Sequence, residues 1–184
     1  MRNRYRQQLP FGLGRTVPAL LVLAAVAVLA AALSPRLDPV AGAARASDGD
    51  SFHLGDERIR LLGIDAPELD QTCRDASDED WPCGRVARDR LSELLSEGEI
   101  TCQPQDRDQY GRLLAQCEIG DRDLGQVIVA EGLAVASGDY GETERQAREA
   151  ALGIWAGTFE RPRAWRDGAG QGGPPNWLTT LLGW

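Results

Sequence analysis

The stretch "RIRLLGIDAPE", Arg58 to Glu68, decides the fold. Its first half is an apolar strand interrupted by Arg60. Its second half breaks at Pro67 and leaves two carboxylates, Asp65 and Glu68, three residues apart. Proline supplies no ladder N–H, so the strand ends there. A buried arginine is tolerated in such a strand only if its guanidinium meets carboxylates or an anionic ligand. The strand therefore reads as one side of a site rather than as plain core.

Around it the 184 residues have room for one domain and appendages. Upstream, "DGD" (Asp48–Asp50) gives turn chemistry between "AGAARAS" and the strand "SFHL". Downstream, "GRVARDRLSELLSEG" places Val86, Leu91, Leu94 and Leu95 on one helical stripe, with Gly98 as the stop. "EITCQP" and "LLAQCEI" read as strands around a turn containing "DRDQYGR". Asp121 or Asp123 caps a helix "LGQVIVAEG", and "ETERQAREAALG" is a third helix ending at Gly153. "DQTCRDASDEDWPC" is too polar for core and reads as a loop. The tally is α+β, about five short strands with three helices, over residues 40–166.

Residues 1–16 form a basic tip with Arg2, Arg4, Arg6 and Arg15 and no acid. Val17 to Leu33 is an uncharged apolar run that would reach roughly 25 Å as a helix. It reads as a membrane anchor or as a cleaved signal peptide, and both readings export the domain behind it. Residues 34–39 are a linker. Residues 167–184 are a Gly/Pro-rich linker and an apolar tail with Trp177, Leu178, Leu181, Leu182 and Trp184.

The four cysteines, Cys73, Cys83, Cys102 and Cys117, suggest two disulfides in an exported chain. Sequence alone leaves three connectivities. Cys73–Cys83 and Cys102–Cys117 are favoured, the latter as a cross-strand bridge. From Ser47 to Arg166 there are 26 Asp plus Glu against 14 Arg, a net of −12, and lysine is absent. So acidic a domain is repelled by polyphosphate at long range, which argues against a high-affinity nonspecific nucleic-acid binder.

A local cationic site is not excluded. Carboxylates at the ends of adjacent strands can share one hard cation, and calcium accepts irregular oxygen sets. Asp50 and Asp65 sit at the ends of segments that a hairpin would bring together, and no EF-hand loop is present. Glu68, just past the proline, is free to act as a base on water. Arg60 and Arg112 offer two-point contact to a phosphodiester and charge for its transition state.

"DGDS", "RIRLLGIDAPE", "DQYGR", "ERQAREAALGIW" and the closing "F-x-x-P-x-x-W-R" resemble the staphylococcal-nuclease family, in its exported bacterial branch, over roughly Val40 to Arg166. The resemblance implies a five-stranded OB-type β-barrel with three helices, here preceded by the N-terminal hydrophobic helix. It implies a calcium-dependent nuclease that cuts DNA and RNA, prefers single strands and leaves 3′-phosphate ends. A monomer is the default oligomeric state. Asp50, Asp65 and the carbonyl of Ala66 become calcium ligands, Glu68 the base, Arg60 and Arg112 the phosphate clamps, and Tyr110 a contact to a neighbouring phosphate. Ser51 departs from the usual threonine. The connection "VASGDYGETER" is short and offers only Tyr140 as a stacking face for a base. The alternative is a non-catalytic nucleic-acid- or protein-binding module at the cell envelope. A degenerate domain would usually have lost Asp50, Arg60, Glu68 or Arg112, and all four remain.

Overall fold

The structure is a computed structural model that describes residues 16–33 and 37–169. The chain divides into two units, Met1–Arg36 and Leu37–Trp184. In the first, the described part is helix α1 (Thr16–Leu33), apolar on every face. Its 18 residues rise about 27 Å, short of a ~30 Å hydrocarbon core. Among the described residues no helix is long and apolar enough to cross a membrane. The basic tip, residues 34–36 of the linker and the tail from residue 170 lie outside the described residues.

The second unit is mixed α and β. Its strands are β1 (Val40–Gly42), β2 (Ala44–Ala46), β3 (Ser51–Leu54), β4 (Glu57–Leu61), β5 (Ile64–Asp65), β6 (Cys73–Arg74), β7 (Asp80–Trp81), β8 (Ile100–Arg107), β9 (Leu113–Ile119), β10 (Arg122–Asp123) and β11 (Val135–Ala136). Its helices are α2 (Cys83–Ser96), α3 (Leu124–Ala130), α4 (Gly141–Glu149) and α5 (Pro162–Ala169), with a 3-10 turn at Gly153–Ala156. The main sheet runs β1-β8-β9-β4-β3-β2, with β10 beside β9. All its pairings are antiparallel except β4 with β9. The strands at the two ends of that order, β1 and β2, are consecutive in the chain.

Alternation along the strands fills the interior. Phe52, Leu54, Ile59, Leu61, Leu113 and Ala115 face inward, and Ala87, Leu91, Leu94 and Leu95 of α2 cover them. Val86, expected on the same stripe, is exposed instead, one position off that face. Asp123 caps α3, its carboxylate accepting from the Gln126 N–H at 2.8 Å. The expected three helices correspond to α2, α3 and α4; α5 is additional and runs past residue 166.

Two departures from the expected strands matter for the site. "ERIRLLGI" is not one strand. The chain turns at Gly63 (φ +79°), and β5 pairs with β11, not with the main sheet. That left-handed conformation suits glycine, and a Cβ there would press on the Tyr140 ring at 3.0 Å. Second, the polar loop after Asp70 holds the small hairpin β6–β7.

Candidate active site

The turn at Gly63 folds Asp65 back toward Arg60. Opposite Arg60 in the β3–β4 register lies Ser51, directly after Asp50. Arg60 therefore sits between two carboxylates from different elements. Its Nη2 lies 2.8 Å from Asp65 Oδ1 and 3.1 Å from Asp50 Oδ2, and its Nη1 donates to Asp50 Oδ1 at 3.2 Å. Asp50 Oδ2 also accepts the Ala66 N–H at 3.1 Å. This resolves how an arginine occupies an apolar strand: two carboxylates take up three of its five N–H donors.

Asp50 is 3% exposed. Burial pushes its carboxyl above the ordinary range, against the pull of Arg60 and the Ala66 N–H. Asp48, in the same turn, is pushed up to about 6 by burial, with the Gly49 N–H opposing and the charges of Asp50 and Glu68 adding to the rise. Both shifts come first from burial, and neighbouring carboxylates add to them.

Parallel pairing of β4 with β9 sets Arg60 opposite Leu114, two residues after Arg112. Arg112 is positioned by Asp108. Asp108 accepts Arg112 Nε at 2.7 Å and the backbone N–H groups of Tyr110 and Arg112, each at 2.9 Å. Against the upward push of desolvation, these donors together hold Asp108 below the ordinary carboxylate range. Arg112 Nε is thereby fixed, and among the described residues no carboxylate pairs with its Nη groups. Tyr110 is 64% exposed in the same turn, with the Arg112 Cζ 5.6 Å from its ring centroid.

Glu68 follows Pro67 on a loop held by a buried glutamine. Gln71 is 0% exposed. It accepts the Glu68 N–H at 3.2 Å and donates to the Glu160 carbonyl at 2.7 Å, while its own N–H returns to the Glu68 carbonyl at 2.8 Å. The start of α2 presses on the same loop: a Cβ at Gly84 would lie 1.7 Å from the Glu68 carbonyl oxygen. The Cys73–Cys83 disulfide ties the loop to α2. Cys102–Cys117 bridges β8 and β9 directly across the ladder, with Cα atoms 4.1 Å apart. Both favoured pairings are present.

These bridges separate in their expected effects. Replacing Cys73 and Cys83 together by serine is expected to cost about 2–3 kcal/mol and to lower turnover per folded molecule, because the Glu68 loop loses its tie. Replacing Cys102 and Cys117 is expected to cost about as much stability and to leave turnover per folded molecule unchanged. Urea denaturation with a rate assay on the folded fraction checks both.

Asp48, Glu68, Arg58, Arg60, Tyr110, Arg112 and Arg166 line one open cleft of about 570 Å³. The site thus gathers Asp50, Asp65, Glu68, Arg60 and Arg112, with Tyr110 at its mouth. Tyr140 is different. It is 9% exposed, its hydroxyl donates to Asp123 at 2.8 Å, and its ring packs against Gly63 and Gly125. Burial and the Asp123 carboxylate push its phenol up. Most of Tyr140 is taken up by the core, and the remainder lines a neighbouring cleft of about 490 Å³ with Arg60 and Arg166.

Arg166 is the residue that sequence reading missed. It reaches back from α5 with Nη1 3.0 Å from Asp65 Oδ1 and 2.6 Å from Glu68 Oε1, and Nη2 3.1 Å from Asp65 Oδ2. "RPRAWR" carried a usable signal: a proline at the first helical position, then arginines three apart on one face.

The donors fit a hard divalent cation in kind and in charge. They are carboxylate oxygens, those of Asp50 and Asp65 being buried. In the arrangement seen, two guanidiniums stand among them, and among the described residues no three acidic, histidine or cysteine side chains converge to hold an ion unaided.

Residues 58–157 match the model of the staphylococcal nuclease homologue family. The succinoglycan biosynthesis protein ExoI of Rhizobium meliloti (strain 1021) is 33% identical over 153 residues, covering 77% of this chain and 80% of that protein. A micrococcal nuclease of Shigella flexneri is 31% identical over 170 residues, covering 80% and 92%. An uncharacterized endonuclease of Escherichia coli O157:H7 is 31% identical over 123 residues, covering 61% and 74%. The arginine–carboxylate site and these matches converge on one conclusion: the chain belongs to the staphylococcal nuclease homologue family.

Proposed function

We propose that this chain is an exported, calcium-dependent nuclease that hydrolyses phosphodiester bonds of DNA and RNA, prefers single strands and leaves 3′-phosphate ends. The observation that carries the reading is the shared cleft of Glu68, Arg60 and Arg112, one carboxylate facing two guanidiniums. The first places a proton acceptor beside bound water. The others supply positive charge where the pentacoordinate phosphate gains negative charge.

Arg112, fixed through Nε, offers its Nη groups to one phosphate oxygen, and Arg60 offers its fork to another. Tyr110, exposed at the mouth, contacts the next phosphate. Glu68 takes a proton from the attacking water at Oε. The bond from phosphorus to the 5′ oxygen breaks, the leaving oxygen takes a solvent proton, and the phosphate stays on the 3′ side. Asp50, Asp65 and the Ala66 carbonyl would hold calcium, whose chemistry there is to neutralise charge on the phosphate. Alanine suits the last position because its backbone is the donor.

The continuity of β1 and β2 at the two ends of the sheet order supports an OB-type barrel over residues 40–166. Two disulfides support folding in an oxidising compartment, with residues 17–33 exporting the domain as a membrane anchor or a cleaved signal peptide. The single-strand preference accords with an open cleft, and the acidic surface implies weak affinity for substrate and a monomer repelled from its own kind.

The purified protein is expected to cut denatured DNA in calcium and to stop in excess chelator. Binding of single strands with no cleavage in either condition would favour the alternative, a non-catalytic nucleic-acid- or protein-binding module at the cell envelope. Cleavage that persists in chelator would remove calcium from the reading.

A further inference from the structure

Arg166 lies on α5, beyond the residues 58–157 that match the family model, and the resemblance that includes its motif assigned it no role at the site. Its fork lies across both oxygens of Asp65 and also reaches Glu68. Asp65 Oδ1 already accepts from Arg60. A carboxylate oxygen has about two lone-pair positions, so Arg60 and Arg166 together fill Oδ1, and Arg166 takes half of Oδ2. A cation that coordinates Asp65 must compete with Arg166 for these positions.

Charge leads to the same competition. Asp50, Asp65 and Glu68 carry three negative charges, and Arg60 and Arg166 return two. A dication bound at Asp65 repels the guanidinium already there, so each weakens the hold of the other. Arg60 is held between Asp50 and Asp65 by the sheet, whereas Arg166 sits on a short terminal helix and keeps 38% of its side chain exposed. Arg166 is the guanidinium that can leave.

It has a place to go. A second cleft of about 490 Å³ adjoins the first and shares Arg60 and Arg166 with it. Its walls include Leu62, Gly63, Leu114 and Gln116, and Arg163, one helical turn before Arg166, stands at its edge. A guanidinium released from Asp65 lies in reach of a strand that passes from one cleft to the other.

We propose that Arg166 is the resident counter-cation of the acidic site, displaced from Asp65 and Glu68 when a divalent cation binds and then turned to a backbone phosphate of the substrate. The inference rests on the calcium-dependent nuclease reading. It makes metal and substrate binding mutually reinforcing, because each favours the swung-out arginine. It also keeps the acidic cluster compact without metal.

The test is calcium titration of the full chain by calorimetry, without nucleic acid, in wild type, Arg166→Ala and Arg166→Lys. Arg166→Ala is expected to bind calcium roughly 5–150-fold more tightly, the range of ordinary coupling between sites. Arg166→Lys should fall between, since an ammonium keeps the charge and loses the fork. In chelator Arg166→Ala should melt below wild type, and in saturating calcium the two should coincide. At saturating calcium the alanine variant should show a raised KM for single-stranded DNA. Calcium affinity unchanged or weakened in Arg166→Ala overturns the displacement and leaves the calcium reading standing. An unchanged KM overturns the phosphate contact. Absence of calcium binding in wild type and variants alike overturns the metal reading and this inference with it.

Discussion

Glu68→Gln is expected to lower turnover on denatured DNA by about 10²–10⁴-fold, the usual contribution of a positioned general base, while leaving the fold intact. Glutamine matches the shape of glutamate, and the loop is held by groups the substitution does not touch. Gln71 grips the backbone of residue 68 on both sides, and the Cys73–Cys83 bridge ties the loop to α2. The amide oxygen can still accept from Arg166, but it cannot take a proton from water at neutral pH. The measurement is single-turnover cleavage in saturating calcium beside a thermal melt. Wild-type turnover in a folded Glu68→Gln protein would remove Glu68 from the role of base.

Arg60→Leu is expected to damage both stability and rate. In chelator it should cost about 3–5 kcal/mol, because it leaves the buried Asp50 without its cation, while Asp65 keeps only Arg166. The turnover of the fraction that remains folded should fall by roughly 10²–10³-fold, as for a lost oxyanion donor. Saturating calcium should restore part of the stability and none of the rate, since a metal can replace the charge between the carboxylates but not the fork on the phosphate. Arg60→Leu combined with Asp50→Asn should be more stable than Arg60→Leu alone, because the stranded buried charge is gone. Urea titrations with and without calcium separate these outcomes, and a stability of Arg60→Leu equal to wild type in chelator would contradict the pairing geometry.

The part of the molecule legible in the sequence was written in short-range pattern. Alternation in "SFHL" and "LLAQCEI" marked β3 and β9, and the Leu91, Leu94 and Leu95 spacing marked α2. Asp50, Arg60, Asp65 and Glu68 fall within nineteen residues, and one hairpin with one bend suffices to gather them. Arg112 was found because its turn carries a dense local signal, Asp108 through Gly111. Contacts made at long separation were not legible. Arg166 meets Asp65 across 101 residues, from a helix of only eight residues, too short for a repeating apolar pattern. The β6–β7 hairpin is two residues deep in an acidic loop, too short for alternation to show. Tyr140 illustrates the limit in the other direction. A lone tyrosine in a connection looks available for stacking, and only the Gly63 and Gly125 backbones beside it and the Asp123 carboxylate at its hydroxyl assign it to the core.

The buried tie between Cys73 and Cys83 bears on where the protein can be dangerous. Both sulfurs lie inside the small cluster of Val135 and Ile154, under Trp81 and Trp155, and the residues leading into that tie are the ones that hold Glu68. A chain still reduced, as it is while being made, has not locked the catalytic loop onto α2. On the export reading, the same covalent bond that shapes the site acts as a safeguard: the Glu68 loop is tied down only once the chain reaches an oxidising compartment, away from its maker's nucleic acids.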